Sequence, residues 1–322
     1  MTRPTVLLTR RWPEAVEREL TNRYDVTPND RDAPLSKKDL ADAMARFDAV
    51  CPTVTDRIDA EVIKAAGAAR IIGNFGVGFE HIDLDAAKAR KLVVTNTPDV
   101  LTDATADIAI LLMLAAARRA GEGERLVRRG EWTGWTPTQL MGVEVTGKTL
   151  GLAGFGRIAQ ATARRAHHGF GMKILYNDPV RAAPALEAEC GASYRATLEE
   201  VLAEADVVSL HCPGGPETYH LINRNRLSRM KPSAVLVNTA RGPVVDAEAL
   251  VEALRAGTIA AAGLDVYEGE PRVPAGLEKL ENVVLLPHLG SATIETRVAM
   301  GMRVVENLDA FFAGKPPRDR VA

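Results

Sequence analysis

Three kinds of side chain stand where together they could reduce a carbonyl: an arginine, a histidine and an acid. Arg241 sits in Asn238-Thr-Ala-Arg-Gly, just after an apolar, β-branched run. Its fork can pair with a carboxylate and also polarise the neighbouring carbonyl oxygen. His288 follows the apolar stretch 283–286 and a proline. An imidazole titrates near neutral pH, so it can give a proton to a nascent alkoxide and take it back in the reverse direction. Two acids, Glu268 and Glu270, precede Pro271. A carboxylate hydrogen-bonded to the imidazole would fix its tautomer and favour its protonated form, but residue type alone does not choose between them. His81, His167, His168, His211 and His220 read as structural or exposed. His167 and His168, adjacent on one helix, face different ways and make a poor metal pair; no metal is expected.

A carbonyl reduction needs a hydride source, and the chain carries a site for one. Thr149-Leu-Gly-Leu-Ala-Gly-Phe-Gly-Arg-Ile-Ala159 reads as a strand entering Gly154-x-Gly156-x-x-Ala159 and then a helix. The first glycine permits a tight turn, the second lets backbone approach a pyrophosphate, and the small third position lets helix pack on strand. The phosphates then meet the free N–H groups and dipole of a helix N-terminus. The next strand ends at Asn177-Asp178, about twenty residues on, where an acid meets the adenosine ribose hydroxyls. Asp178 favours NAD over NADP, whereas Asn177 at the tip with Arg181 nearby would suit a 2′-phosphate, so NADP is not excluded. Gly76-Val77-Gly78 follows another strand. Its N–H groups could converge on a carboxylate, or the segment could be an ordinary turn.

The elements that must position these groups follow from patterning. Apolar β-branched runs at 5–9, 49–52, 70–74 and 92–95, and again at 149–153, 173–176, 207–211, 234–238, 261–266 and 283–286, alternate with helical stretches such as 38–46 and 247–255. That alternation predicts an α/β fold built on parallel sheets. Residues 101–119 should be a helix buried on several sides, 130–142 an ordered loop, and 291–313 a helix returning to the first domain. The length of 322 residues leaves room for two domains of roughly 150 each. With 46% hydrophobic and 25% charged residues the chain is too apolar for disorder. Forty basic against 42 acidic residues leave no bulk basic face for nucleic acid or membrane. The apolar stretch 108–117 is too short to span a bilayer, and 6–8 too short for a signal peptide. Three cysteines without a CxxC pair suit a reducing compartment, so a cytoplasmic protein is expected.

The motifs together resemble the D-isomer-specific 2-hydroxyacid dehydrogenases. The resemblance is carried by 151–160, His211-Cys-Pro-Gly-Gly-Pro-Glu-Thr218, Asn238-Thr-Ala-Arg-Gly-Pro-Val-Val-Asp246, Leu264-Asp-Val-Tyr-Glu-Gly-Glu-Pro271, Pro287-His-Leu-Gly-Ser-Ala-Thr293, Gly76-Val-Gly78 and 100–105. Gly130-Glu-Trp-Thr-Gly-Trp-Thr-Pro137 with Pro213-Gly-Gly215 is most similar to the glyoxylate/hydroxypyruvate reductase branch. The resemblance implies two Rossmann-like doubly wound domains, with a cofactor domain (99–287) inserted in a discontinuous substrate domain (1–98 and 288–322), and a homodimer. It selects Glu270, the acid directly before the proline, as partner of His288, and makes Arg241 the carboxylate anchor. It assigns Val77 and Gly78 to the substrate. It assigns Thr105, Gly154, Gly156, Arg157, Ile158, Asn177, Asp178, Cys212, Pro213, Thr218, Thr239 and Asp265 to the cofactor. Asp265 also has a physical argument, since an acid ending an apolar strand needs a partner. Trp135 and Met141 are implied to reach a neighbouring subunit's pocket, with Trp132 a packing anchor.

The rival readings are a D-lactate-type or other D-2-hydroxyacid dehydrogenase and, from another class, an NADH-sensing scaffold resembling the related corepressors. Formate dehydrogenases of this superfamily carry an amide where Glu270 stands, and phosphoglycerate dehydrogenases often carry a C-terminal regulatory domain.

Overall fold

Runs of aliphatic residues flanked by helices form strands buried on both faces, and such strands lie in parallel sheets. The structure, a computed structural model, describes residues 3–322. Its residues fall into two units, one running to Leu101 and resuming at Ala292–Ala322, the other Thr102–Ser291. The first break falls after Leu101 and the second after Ser291. The reason at the second break is local: both carboxylate oxygens of Asp265 hold the amides of Leu289 and Gly290, so His288 belongs with the second unit.

The first unit is built on β1 (Thr5–Leu8), β2 (Asp25–Thr27), β3 (Ala49–Cys51), β4 (Ile71–Gly73) and β5 (Val93–Thr95), all parallel in the order β2-β1-β3-β4-β5. The C-terminal helix Ile294–Phe312 packs on this sheet. A side chain at Gly73 would strike Val304, and one at Gly301 would strike Val16, so both glycines permit close helix packing.

The second unit holds β6 (Thr149–Ala153), β7 (Lys173–Asn177), β8 (Ala192–Tyr194), β9 (Val207–Leu210), β10 (Val235–Asn238), β11 (Ala261–Leu264) and β12 (Val283–Leu285). They form one parallel sheet ordered β12-β11-β10-β9-β6-β7-β8. Chain order reverses between β6 and β9, and ligands of open α/β sheets bind beyond the strand ends at such a switch point. The helix Thr102–Ala117 is apolar nearly all round and is buried along much of its length through Ala109, Leu112 and Met113. The parallel α/β expectation is what the chain adopts. Two edge strands, β2 and β8, have no counterpart in the apolar pattern: each has three residues, and β2 is largely exposed.

Candidate active site

The dinucleotide loop follows β6. Gly154 has φ +90°, and a Cβ there would lie 3.0 Å from Cys212 N and from the carbonyl of His211. Glycine is therefore required, both by conformation and by the close approach of the β9 loop carrying Cys212 and Pro213. Gly156 caps the helix Arg157–Phe170 with no side-chain cap and no acid in its first turn, and a Cβ there would meet open space. Uncapped N–H groups beside an open cradle fit a pyrophosphate. Ala159 is fully buried, as the helix–strand contact requires.

Asn177 ends β7, with its amide donating to Arg195 O. Asp178 reaches back into the glycine loop: Oδ2 accepts from Phe155 N at 2.8 Å and Oδ1 from Val180 N at 2.9 Å. Arg181 is engaged elsewhere, bidentate on Glu187 with both contacts at 3.0 Å and lying over the Tyr194 ring. Glu187 is in turn held by the Tyr176 hydroxyl at 2.7 Å. The acid faces the loop, and the one nearby cation proposed for a 2′-phosphate has a carboxylate of its own. Thr218, in a short turn, donates its hydroxyl to Pro213 O at 2.7 Å.

At the ends of β10, β11 and β12 the proposed chemical groups come together. His288 Nδ1 lies 2.9 Å from Glu270 Oε2, and Glu270 Oε1 accepts from Tyr267 N at 3.0 Å. Burial pushes the Glu270 carboxyl up, but the His288 hydrogen bond and charge, the Tyr267 amide and the Arg241 charge outweigh it, leaving it below the ordinary carboxylate value. Glu268 is turned away, onto His220 at 3.1 Å and the Tyr219 hydroxyl at 3.2 Å. His288 has φ +55°, a left-handed conformation that a non-glycine residue adopts only when held. The hold is visible: His288 N donates to Asp265 O at 2.9 Å, and Leu289 N and Gly290 N donate to the Asp265 carboxylate at 2.6 and 2.8 Å. Asp265 is almost wholly buried, and burial pushes its carboxyl up while those two amides and His288 pull it back.

Arg241 lies on the turn after β10, its Nη1 donating to Ala240 O and its own carbonyl accepting from Asn238 Nδ2. The next residue, Gly242, abuts the Tyr267–Glu268 peptide so closely that a Cβ would fall 1.8 Å from Tyr267 C. That contact, which no sequence pattern announces, locks the Arg241 turn to the segment carrying Glu270. Thr105 ties the start of its helix to the same region by donating to Gly290 O at 3.0 Å. Thr239 is buried, and its hydroxyl has no hydrogen-bond partner among the described residues. An orphaned buried hydroxyl beside the strand ends fits an amide-bearing ligand such as nicotinamide.

In the first unit Val77 is partly buried and Gly78 buried, on the turn after β4. Within the described residues neither N–H donates to a protein acceptor. The loop 130–142 differs from expectation in one respect. Trp132 is 53% exposed, with its indole on Gln139, so it does not anchor packing within the chain. Trp135 and Met141 are more exposed still, at 78% and 67%. Among the described residues no group of His, Cys, Asp and Glu could hold a metal, and no helix is long and apolar enough to cross a membrane.

A sequence model of the D-isomer specific 2-hydroxyacid dehydrogenase NAD-binding domain matches residues 110–290. The chain belongs to this family. A glyoxylate reductase of Thermococcus onnurineus is 48% identical over 98% of this chain and 95% of its own, and one from Pyrococcus furiosus 47% over 98% and 94%. Among solved structures, a D-isomer specific 2-hydroxyacid dehydrogenase from Polaromonas superposes with TM-score 0.93 at 40% identity, covering 99% of this chain and 100% of that one. An NADPH-dependent glyoxylate/hydroxypyruvate reductase from Sinorhizobium meliloti, solved with NADP and malonate, superposes with TM-score 0.89 at 36% identity, covering 100% and 97%. As a 2-hydroxyacid dehydrogenase the chain is an oxidoreductase, and the residues that match the NAD-binding domain fall within its Thr102–Ser291 unit.

Proposed function

We propose that this dehydrogenase reduces small 2-oxo acids, glyoxylate and hydroxypyruvate first, to glycolate and D-2-hydroxy acids. The observation that carries the reading is the His288–Glu270 pair held beside the Arg241 turn at the ends of β10 to β12. A nicotinamide dinucleotide, when bound, supplies the hydride that reduces C2. Gly154, Gly156, Arg157 and Ile158 hold its pyrophosphate, with Cys212, Pro213 and Thr218 bordering it. Asp178, with Asn177 beside it, meets the adenosine ribose. Thr105, Thr239 and Asp265 frame the nicotinamide. Arg241 binds the substrate carboxylate and polarises the carbonyl oxygen, and Val77 and Gly78 N–H groups also donate to the carboxylate. His288 delivers its Nε2 proton to that oxygen as the alkoxide forms, while Glu270, ionised on Nδ1, stabilises the imidazolium beforehand. Hydride and proton together make the hydroxyl. Asp178 on the glycine loop and Arg181 on Glu187 support a preference for NADH over NADPH.

We further propose a cytoplasmic homodimer. Val127, Trp132, Trp135 and Met141, all exposed, support an apolar face that a second copy covers. Trp135 and Met141 would then reach the partner's substrate and select small ones. The test is nicotinamide absorbance with NADH or NADPH against glyoxylate, hydroxypyruvate and pyruvate. Turnover of the first two with NADH is expected. Turnover of pyruvate alone would favour a lactate-type enzyme, and tight NADH binding without turnover of any oxo acid would favour a scaffold.

A further inference from the structure

A turn can donate to a carboxylate only if its peptide planes are held, and a Gly-Val-Gly segment has little intrinsic reason to hold them. Here they are held from behind. Asn74, fully buried at the end of β4, donates its side-chain amide to Gly76 O at 3.1 Å and Gly78 O at 2.9 Å. Asn96 Nδ2 donates to Val77 O at 2.8 Å, and Thr97 N to Gly76 O at 3.0 Å. All three carbonyls of Gly76, Val77 and Gly78 are thus drawn to protein donors. In a trans peptide the C=O and the following N–H point opposite ways. Drawing back the carbonyls of Gly76 and Val77 therefore turns the N–H groups of Val77 and Gly78 away from Asn74 and Asn96, and no acceptor among the described residues takes them.

The orientation of Asn74 is itself determined. Its amide nitrogen must face the two carbonyls, because carbonyls only accept. Oδ1 is left to His81 Nε2 at 3.0 Å, so that ring nitrogen must carry a hydrogen. We infer that Asn74, backed by His81 and Asn96, is a positioning residue that aims the Val77 and Gly78 N–H groups at the carboxylate of the 2-oxo acid. The inference rests on the assignment of those two residues to the substrate.

The test uses the full chain with saturating NADH. It compares KM and kcat for glyoxylate, the Kd of oxalate as an unreactive carboxylate, the Kd of NADH and the melting temperature. In Asn74→Asp an acceptor faces two acceptors, so KM and the oxalate Kd should rise about tenfold or more, as expected for lost buried hydrogen bonds. The NADH Kd should hold, and kcat should move less than KM. His81→Leu should raise KM about threefold by freeing the amide, and His81→Gln, which keeps a donor for Oδ1, should recover most of that loss. A purely structural role would lower the melting temperature without separating KM from kcat. A folded Asn74→Asp with unchanged KM and oxalate Kd overturns the inference, and so does a His81→Gln as impaired as His81→Leu. Should Asn74→Asp not fold, the His81 pair and Asn96→Ala, which removes the donor to Val77 O, decide by the same readouts. Arg241→Ala separates the positioning role from the substrate assignment. If it shifts oxalate affinity while Asn74→Asp does not, only the positioning role fails. If neither shifts it, the substrate assignment fails as well.

Discussion

Replacing Glu270 by glutamine removes one charge and almost no volume, and the local geometry dictates the consequence. Glu270 accepts twice, from Tyr267 N at 3.0 Å and at His288 Nδ1 at 2.9 Å. A glutamine has one oxygen, so either Tyr267 or His288 must face its NH2 group. If the oxygen stays on Tyr267, the amide selects the neutral tautomer with a bare Nδ1, the form that cannot become imidazolium without breaking the contact. If it turns to His288, the Tyr267 N–H is left against another donor. A hydrogen bond to a charged group is worth about 1.5–3 kcal/mol. Both side chains are about one-third exposed, at 35% and 33%, so water shares the interaction and the lower end of that range applies. About 1.5 kcal/mol corresponds to about a tenfold change in rate. Reduction consumes a proton from His288, and the charged acceptor on Nδ1 stabilises the ring that delivers it. In Glu270→Gln kcat/KM for glyoxylate should therefore fall about tenfold. The assay is steady-state NADH oxidation with a constant NADH Kd as control. Full activity in the variant would refute the pairing as the support of the proton donor.

Arg241→Ala should raise the glyoxylate KM by about ten- to a hundredfold, the worth of a charged hydrogen bond, with a smaller loss of kcat; initial-rate kinetics at saturating NADH measure both. Asp178→Ala should weaken NADH about tenfold while leaving NADPH nearly unaffected, so the ratio of their Kd values by nucleotide fluorescence is the readout; equal losses would remove Asp178 from cofactor choice. Burial pushes the His211 imidazole down to about 4, below an unfolded value of about 6.5. The unfolded chain therefore binds more protons between those limits, and stability falls as pH is lowered through that window. The melting temperature should drop from pH 7 to pH 5, less so in His211→Gln, and before carboxylates such as Glu270 titrate.

The central strands were legible because burial on both faces writes them as unbroken apolar runs; β6 occupies the five residues its pattern implied. The edge strand β2 was not, since Asp25 and Thr27 are exposed and only backbone pairing with β1 makes it a strand. At the site, Gly154 and Gly156 could be read from their spacing because backbone approach to a phosphate demands glycine. The choice of Glu270 over Glu268 could be drawn only from family resemblance. Two residues apart, the acids diverge in space to His288 and His220, a difference made by the turn between them, where Gly269 has φ +79°. Asn74, Asn96 and Gly242 left no signal in composition or periodicity. They act on backbone atoms of other turns, and nothing in their own neighbourhood of the chain shows which turns those are.

The most direct test of the mechanism is His288→Ala assayed for glyoxylate reduction beside the unaltered protein, with NADH binding measured on both. Loss of a proton donor predicts a fall in kcat of about 10² to 10⁴ with the NADH Kd unchanged. A variant that keeps full turnover would contradict His288 as the acid, and with it the mechanism built on the His288–Glu270 pair.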